Sequence, residues 1–199
     1  MALLRPVLAL LFRMRVEGNM PSQGAFIVAS NHVSYIDPVL VVHAIYRLGR
    51  RLRVLTTAAV FTKPVIGRVL RHAAFIEVHP GRGEQALETA EVLLRDGEAV
   101  LIYPEGHIAQ PGVVWRAKPG VARLARVTGA QVVPVAQWGM QRTGRRWESL
   151  RRRPAGLVIG TPFTPSATTD ALAAEEVLTA IRALVPRAQE LAGGAPDSR

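Results

Sequence analysis

Residues 25–38 read AFIVASNHVSYIDP, an apolar run that passes into a polar turn and a proline. The run at 25–30 is typical of a buried strand, and the pattern that follows Pro38 is helical. His32 and Asp37 stand five positions apart across this predicted strand-to-helix turn, so their side chains can meet there. This is the geometry that a histidine general base and its orienting carboxylate require. The stretch therefore predicts an α/β unit that carries a candidate catalytic pair.

The same alternation continues along the chain. Short runs rich in Val and Ile alternate with longer helical patterns, which favours an α/β fold with a largely parallel, mixed sheet flanked by helices. The predicted strands are residues 25–30, 52–57, 74–78, 98–103, 132–137 and 156–160. The predicted helices are residues 38–47, 60–71, 84–95, 118–128 and 171–192. We expect a single domain over residues 17–192, a separate segment over 1–16 and a disordered tail over 193–199.

The chain is strongly basic. It has a formal net charge of +10, from 25 Lys and Arg against 15 Asp and Glu, over 199 residues. This excess favours an anionic partner, namely nucleic acid, an anionic membrane surface or an acidic carrier protein, although a solvated Arg-rich face is the alternative. Part of the positive charge is concentrated in two arginine clusters, at residues 47–53 and 142–153, and the second contains Trp147. No recognition helix or zinc knuckle accompanies them, so we expect no nucleic-acid partner.

Cysteine is absent, which excludes a disulfide framework, a thiolate metal site and a cysteine nucleophile. Residues 1–16 are rich in leucine and carry Arg5, Arg13 and Arg15. No run reaches the roughly 18–20 apolar residues that span a bilayer, and no cleavage site of small residues follows the apolar stretch. We expect an amphipathic helix at the membrane interface, and hence a peripheral protein on the cytoplasmic face of the cell membrane. An ordinary helix packed on the domain is the alternative.

Each member of the candidate pair also has a simpler explanation. Asp37 followed by Pro38 fits a helix N-cap, and His32 fits a satisfied histidine at the end of a strand. The G-x-S-x-G nucleophile elbow is absent. A base at His32 would therefore activate a hydroxyl of the substrate.

A second polar block, Tyr103-Pro104-Glu105-Gly106-His107, follows the predicted strand at 98–103. Glu105 is thereby expected at the carboxyl end of a parallel strand, the edge where open α/β sheets bind ligands. Its carboxylate can accept hydrogen bonds from a polyol or from nearby backbone. A plain Pro-Glu-Gly turn is the competing interpretation.

Taken together, these blocks resemble the lysophosphatidic acid (glycerolipid) acyltransferase family. That family carries Asn-His-x-Ser-x-x-Asp-Pro, a second block after a strand, Phe-Pro-Glu-Gly-Thr-Arg, and a Val-Pro-Val segment. The corresponding blocks here are residues 31–38, 75–82, 103–108 and 132–136. Residues 115–125, WRAKPGVARLA, are also similar to the family's basic, glycine-containing helix entry. The blocks occur in the family's order over residues 25–140.

The resemblance implies transfer of a fatty acyl group from acyl-CoA or acyl carrier protein to a lipid hydroxyl. The acceptor it implies most directly is 1-acylglycerol 3-phosphate, which gives phosphatidic acid in phospholipid synthesis. His32 would be the base and Asp37 its partner, with no covalent acyl-enzyme, no metal and no cofactor besides the thioester co-substrate. The candidate substrate-binding residues are Asn31, Ser34, Arg82, Glu105, Gly106, His107, Arg116 and Lys118.

Two departures from the family pattern concern the acceptor. The family's arginines in the second and third blocks are thought to hold its phosphate, and the aligned positions here hold Pro80 (or His79) and Ile108. A phosphate dianion needs cations or dense N–H donors. Arg82, Arg116 and Lys118 are candidate replacements. The alternatives are an acceptor without phosphate, or a non-enzymatic lipid-binding relative.

Overall fold

The computed structural model describes residues 5–62, 67–68, 70–71, 75–79, 81–108, 116–140 and 153–193. The strands are β1 (Phe12–Glu17), β2 (Phe26–Ser30), β3 (Leu52–Thr57), β4 (Phe75–Val78), β5 (Ala99–Ile102), β6 (Gln131–Trp138) and β7 (Arg153–Ile159). The helices are α1 (Arg5–Leu11), α2 (Asp37–Arg47), α3 (Ala58–Phe61), α4 (Gly83–Arg95), α5 (Gly120–Thr128) and α6 (Asp170–Leu191). All six predicted strands are confirmed within a few residues. The helix predicted at 60–71 is confirmed only in part, at α3 and at residues 67–68 and 70–71.

The described strands form one seven-stranded sheet in the order β1-β7-β6-β2-β5-β3-β4. Neighbouring strands run parallel, except that β6 and β7 are antiparallel. This confirms the largely parallel, mixed sheet. Strand β2 lies between β6 and β5, with Ala29 paired to Ile102 and Ser30 paired to Val135. The loops that follow β2, β5 and β6 therefore leave the sheet side by side.

Strand β2 is buried on both faces of the sheet. Phe26 and Val28 join the core that contains α2, whereas Ile27 and Ala29 join the core that contains α5 and α6. A strand covered on both sides needs apolar residues at every position, which explains the continuous apolar run in the sequence. The sheet, with α2 on one face and α5 and α6 on the other, holds the end of β2 in place beneath the polar turn.

The N-terminal segment differs from the expected single helix over residues 1–16. Helix α1 ends at Leu11, and residues 12–17 form the edge strand β1, which pairs in parallel with β7. The expectation is therefore wrong for residues 12–16, and the predicted domain boundary falls inside β1. Phe12 is buried and Met14 half-buried, while Arg13 and Arg15 are exposed. This period of two is the pattern of a half-buried strand and explains the difference.

Several predicted features lie outside the described residues. They are Pro80, Trp115, Trp147 with the arginines at 142–152, and the tail from residue 194. Among the helices that the structure describes, none is both long and apolar enough to cross a bilayer.

Candidate active site

His32 and Asp37 meet across the turn between β2 and α2. The Nδ1 atom of His32 lies 3.1 Å from Oδ2 of Asp37. Asp37 is the first residue of α2, the N-cap position is Ile36, and no side chain caps the helix. The N-cap interpretation of Asp37 is thus excluded. The Asp37 side chain is fully buried, and the His32 side chain keeps 17% of its surface exposed, so the imidazole is the member that a substrate can reach.

The Asp37 carboxylate also organises the loop around the histidine. Its Oδ2 accepts hydrogen bonds from the backbone N–H groups of Val33 (2.6 Å) and Ser34 (2.7 Å). Burial raises the pKa of Asp37, while the hydrogen bonds from His32, Ser34 and Val33 oppose that rise. A carboxylate here accepts a hydrogen bond from Nδ1–H, which leaves Nε2 of His32 as the hydrogen-bond acceptor.

Glu105 reaches the same loop from β5. Its Oε2 accepts a hydrogen bond from the backbone N–H of His32 at 3.1 Å. The residue is only 1% exposed, and this burial raises the pKa of Glu105 to about 7. The hydrogen bond from the His32 N–H opposes the rise, whereas the nearby Asp37 carboxylate adds to it. Its other oxygen, Oε1, is buried without a hydrogen-bond partner among the described residues. Glu105 therefore does more than form a turn, because it fixes the backbone of the candidate base.

Gln137, at the end of β6, was not predicted as a site residue. It exchanges three hydrogen bonds with Asn31: Asn31 Nδ2 donates to the Gln137 carbonyl (3.0 Å), the Gln137 N–H donates to Asn31 Oδ1 (2.8 Å), and Gln137 Nε2 donates to the Asn31 carbonyl (2.6 Å). Both residues are buried. The signal in the sequence was a polar residue directly after the apolar run 132–136.

Tyr103 supports the imidazole ring from one face. The two rings are stacked, with centroids 4.1 Å apart and planes inclined by 18°. Burial raises the pKa of Tyr103 well above its ordinary value, so the phenol stays neutral. His32 is thereby held at its ring face by Tyr103, at Nδ1 by Asp37 and at its backbone by Glu105.

The remaining predicted residues divide into two groups. Ser34 lies in the loop, where the Ile36 N–H approaches its Oγ at 3.5 Å, and Gly106 and Lys118 lie against each other beside Glu105. Arg82 follows the outermost strand β4 and donates to Gln85 Oε1 at 3.2 Å. His107 and Arg116 are exposed. The structure thus places Lys118 against the loop that carries Glu105, and it places Arg82 after the edge strand β4.

Comparison with known proteins places the chain in a family. The model of the acyltransferase family matches residues 13–138, a range that includes His32, Asp37 and Glu105. Two chloroplastic 1-acyl-sn-glycerol-3-phosphate acyltransferases, from Arabidopsis thaliana and Brassica napus, are each 26% identical to this chain, over 64% and 61% of its length. The matched regions cover 36% and 35% of those two proteins. The chain therefore aligns with about a third of the length of these curated relatives.

A solved structure shares the fold. The crystal structure of the 1-acyl-sn-glycerophosphate acyltransferase of Thermotoga maritima superposes with a TM-score of 0.69 at 24% identity. The match covers 90% of this chain and 74% of the other. Since the family model spans more than half of the sequence, this chain belongs to the acyltransferase family.

Proposed function

We propose that this chain transfers a fatty acyl group from a thioester, acyl-CoA or acyl carrier protein, to the hydroxyl of 1-acylglycerol 3-phosphate. The observation that carries the proposal is the His32–Asp37 pair at the carboxyl edge of the sheet, with the imidazole accessible and the carboxylate buried. Membership of the acyltransferase family supports this use of the pair.

The reaction needs one base and no enzyme nucleophile. Nε2 of His32 takes the proton from the acceptor hydroxyl as its oxygen attacks the thioester carbonyl carbon. The Asp37 carboxylate stabilises the imidazolium that forms. The carbon–sulfur bond then breaks, and the imidazolium returns its proton to the departing thiolate, so that the products are an ester and a free thiol.

The acceptor has two candidates. The curated relatives are named for 1-acyl-sn-glycerol-3-phosphate, which supports a phosphorylated lysolipid. Ile108, half-buried where the family resemblance expects an arginine, favours instead a lipid alcohol without phosphate. A panel of acceptors that includes lysophosphatidic acid and monoacylglycerol separates the two, because strong preference for the phosphate removes the second candidate.

The decisive variant is His32→Ala. We expect thiol release from acyl-CoA, followed together with the acylated lipid, to fall by about 100- to 10,000-fold, the range for loss of a general base. Thermal unfolding of the variant checks that the fold is retained. Undiminished transfer by folded His32→Ala protein would contradict the proposal. Vesicle binding by the wild type without any thiol release would point to a non-enzymatic lipid-binding protein.

We also infer that the protein works at the cytoplasmic face of the cell membrane, as a peripheral protein on anionic lipid. Leu10 and Leu11 of α1 are 67% and 47% exposed, and the exposed Arg13 follows them. Apolar side chains beside a cation suit insertion among acyl chains and anionic headgroups.

A further inference from the structure

The ammonium group of Lys118 lies over the backbone of Gly106, the residue that follows Glu105. A Cβ atom at position 106 would lie 2.5 Å from Nζ, 2.6 Å from Cε and 2.8 Å from Cδ of Lys118. Gly106 also has a φ of +70°, a conformation that residues with a side chain rarely adopt. The glycine therefore leaves room for the lysine side chain to cross this loop.

The backbone around Lys118 is held on two sides. Its N–H donates to the Pro104 carbonyl at 2.7 Å, and the N–H of Ala117 donates to Glu175 Oε1 at 2.8 Å. Pro104 and Gly106 flank Glu105, whose carboxylate binds the His32 N–H. The lysine side chain thus starts from a fixed backbone and ends against the loop whose Glu105 binds the backbone of His32.

This cation has no counter-ion among the described residues. Lys118 is exposed and forms no ion pair or hydrogen bond through its side chain with any residue that the structure describes. Other exposed cations do have partners: Arg123 pairs with Glu84 at 2.7 Å, Arg126 with Asp170 at 2.9 Å, and Arg187 with Glu17 at 2.7 Å. An unpaired ammonium at the edge of a site attracts an anion of the substrate.

We propose that Lys118 binds the phosphate of the acceptor while His32 binds its hydroxyl. This inference rests on the proposed function. In 1-acylglycerol 3-phosphate a single methylene separates the carbon that bears the hydroxyl from the phosphate ester oxygen. A hydroxyl at His32 therefore brings the phosphate into the immediate surroundings of the pair, and lysine binds phosphate as a compact point charge. Lys118 thus selects a phosphorylated acceptor even though position 108 holds no arginine.

Coenzyme A also carries phosphates, so kinetics must separate the acceptor from the donor. In Lys118→Met we expect the KM for lysophosphatidic acid to rise roughly 10- to 100-fold, with the KM for acyl-CoA and the rate on monoacylglycerol changed less than about twofold. Lys118→Arg should restore part of the affinity. The matched control is Arg126→Met, which removes the same charge from the last turn of α5, whereas Lys118 lies just before its first residue, and it should leave every constant unchanged.

Gly106→Ala tests the geometry. Its Cβ would displace the lysine, so we expect it to raise the KM for lysophosphatidic acid in the wild type and to add little in the Lys118→Met background. Independent, additive effects of the two substitutions would contradict the contact.

Three results with Lys118→Met would overturn the proposal. They are an unchanged KM for lysophosphatidic acid, an equal loss of activity on monoacylglycerol, and an increase in KM for acyl-CoA alone. The last result would assign the lysine to the donor. If the wild type transfers to no acceptor, the proposed function fails, and calorimetric binding of soluble 1-hexanoylglycerol 3-phosphate still tests the lysine. Equal affinity of wild type and Lys118→Met would then refute its role.

Discussion

The Asp37→Asn variant separates the charge of the buried carboxylate from its shape. In the wild type Oδ2 accepts from His32 Nδ1 at 3.1 Å and from the backbone N–H groups of Val33 and Ser34. The amide oxygen of asparagine can take the same position and keep these hydrogen bonds. The substitution therefore preserves the loop and removes the negative charge that, in the proposed reaction, stabilises the imidazolium.

The size of the effect follows from that distance. Two unit charges 3.1 Å apart interact by about 5 kcal/mol at an effective dielectric constant of about 20. If about half of the proton has moved in the transition state, the loss is about 2.5 kcal/mol, so we expect kcat to fall by roughly 70-fold. The KM should change little, because the imidazolium exists only during the reaction.

The assay is thiol release from acyl-CoA with lysophosphatidic acid as acceptor, together with thermal unfolding to confirm the fold. Asp170→Asn is the matched control, since Asp170 forms a surface ion pair with Arg126 and its loss should leave kcat unchanged. A folded Asp37→Asn protein that keeps more than about a third of the wild-type kcat would refute the role of the charge. A raised KM with an unchanged kcat would refute it as well, because it would assign Asp37 to binding.

Two further predictions concern Glu105 and helix α1. The pKa of Glu105 is raised from 4.5 to about 7, so between these pH values the folded protein holds a proton that the unfolded chain has released. The free energy of unfolding should therefore fall by up to about 3 kcal/mol from pH 5 to pH 8. Glu105→Gln should remove this decline. In urea unfolding, the free energy of unfolding of Glu105→Gln minus that of the wild type should therefore rise from pH 5 to pH 8. A difference between the two proteins that does not change with pH would contradict the prediction. The double variant Leu10→Ser with Leu11→Ser should weaken binding to phosphatidylglycerol vesicles at least about tenfold in co-sedimentation. Leu172→Ser, at another exposed leucine, should bind as wild type does, and an unchanged affinity of the double variant would exclude α1 as the anchor.

Substitution at α1 is preferable to deletion because of β1. Removing residues 1–14 would take away Phe12, Arg13 and Met14, which pair with β7. Loss of vesicle binding would then be inseparable from damage to the sheet. The serine variants leave β1 intact and change only the exposed apolar surface.

The sequence predicted the parts of the fold that depend on local pattern. Buried parallel strands require continuous apolar runs, and these runs marked β2, β5 and β6 correctly. The segment at 12–17 alternates apolar and polar residues, which was a signal for β1. The leucines before it and the arginines within it favoured an interfacial helix instead. In this segment the period of two predicted a strand and the composition predicted an interfacial helix. The structure agrees with the period.

The site was predictable only as far as it lies on one stretch of chain. His32 and Asp37 are five residues apart, so the turn alone brings them together. Gln137 is 106 residues from Asn31 and meets it because β6 pairs with β2 in a particular register, which spacing in the sequence cannot supply. The same holds for Lys118, whose approach to Gly106 depends on the hydrogen bonds of its loop to Pro104 and Glu175.

These long-range contacts divide the site into two parts with different physical demands. The base is fixed by buried groups on the strands beside β2: Glu105 and Tyr103 follow β5, and Gln137 ends β6. Such preorganisation suits the proton transfer, because no group must rearrange as charge develops on His32. Lys118, which has no ion-pair partner in the part of the chain that the structure describes, instead carries its charge on a flexible, exposed side chain that a glycine allows across the loop. A point charge on a long side chain tolerates variation in the acceptor, whereas a bidentate arginine fork demands one geometry. In the function we propose, the absence of an arginine at position 108 therefore bears on the selection of the acceptor and not on the proton transfer.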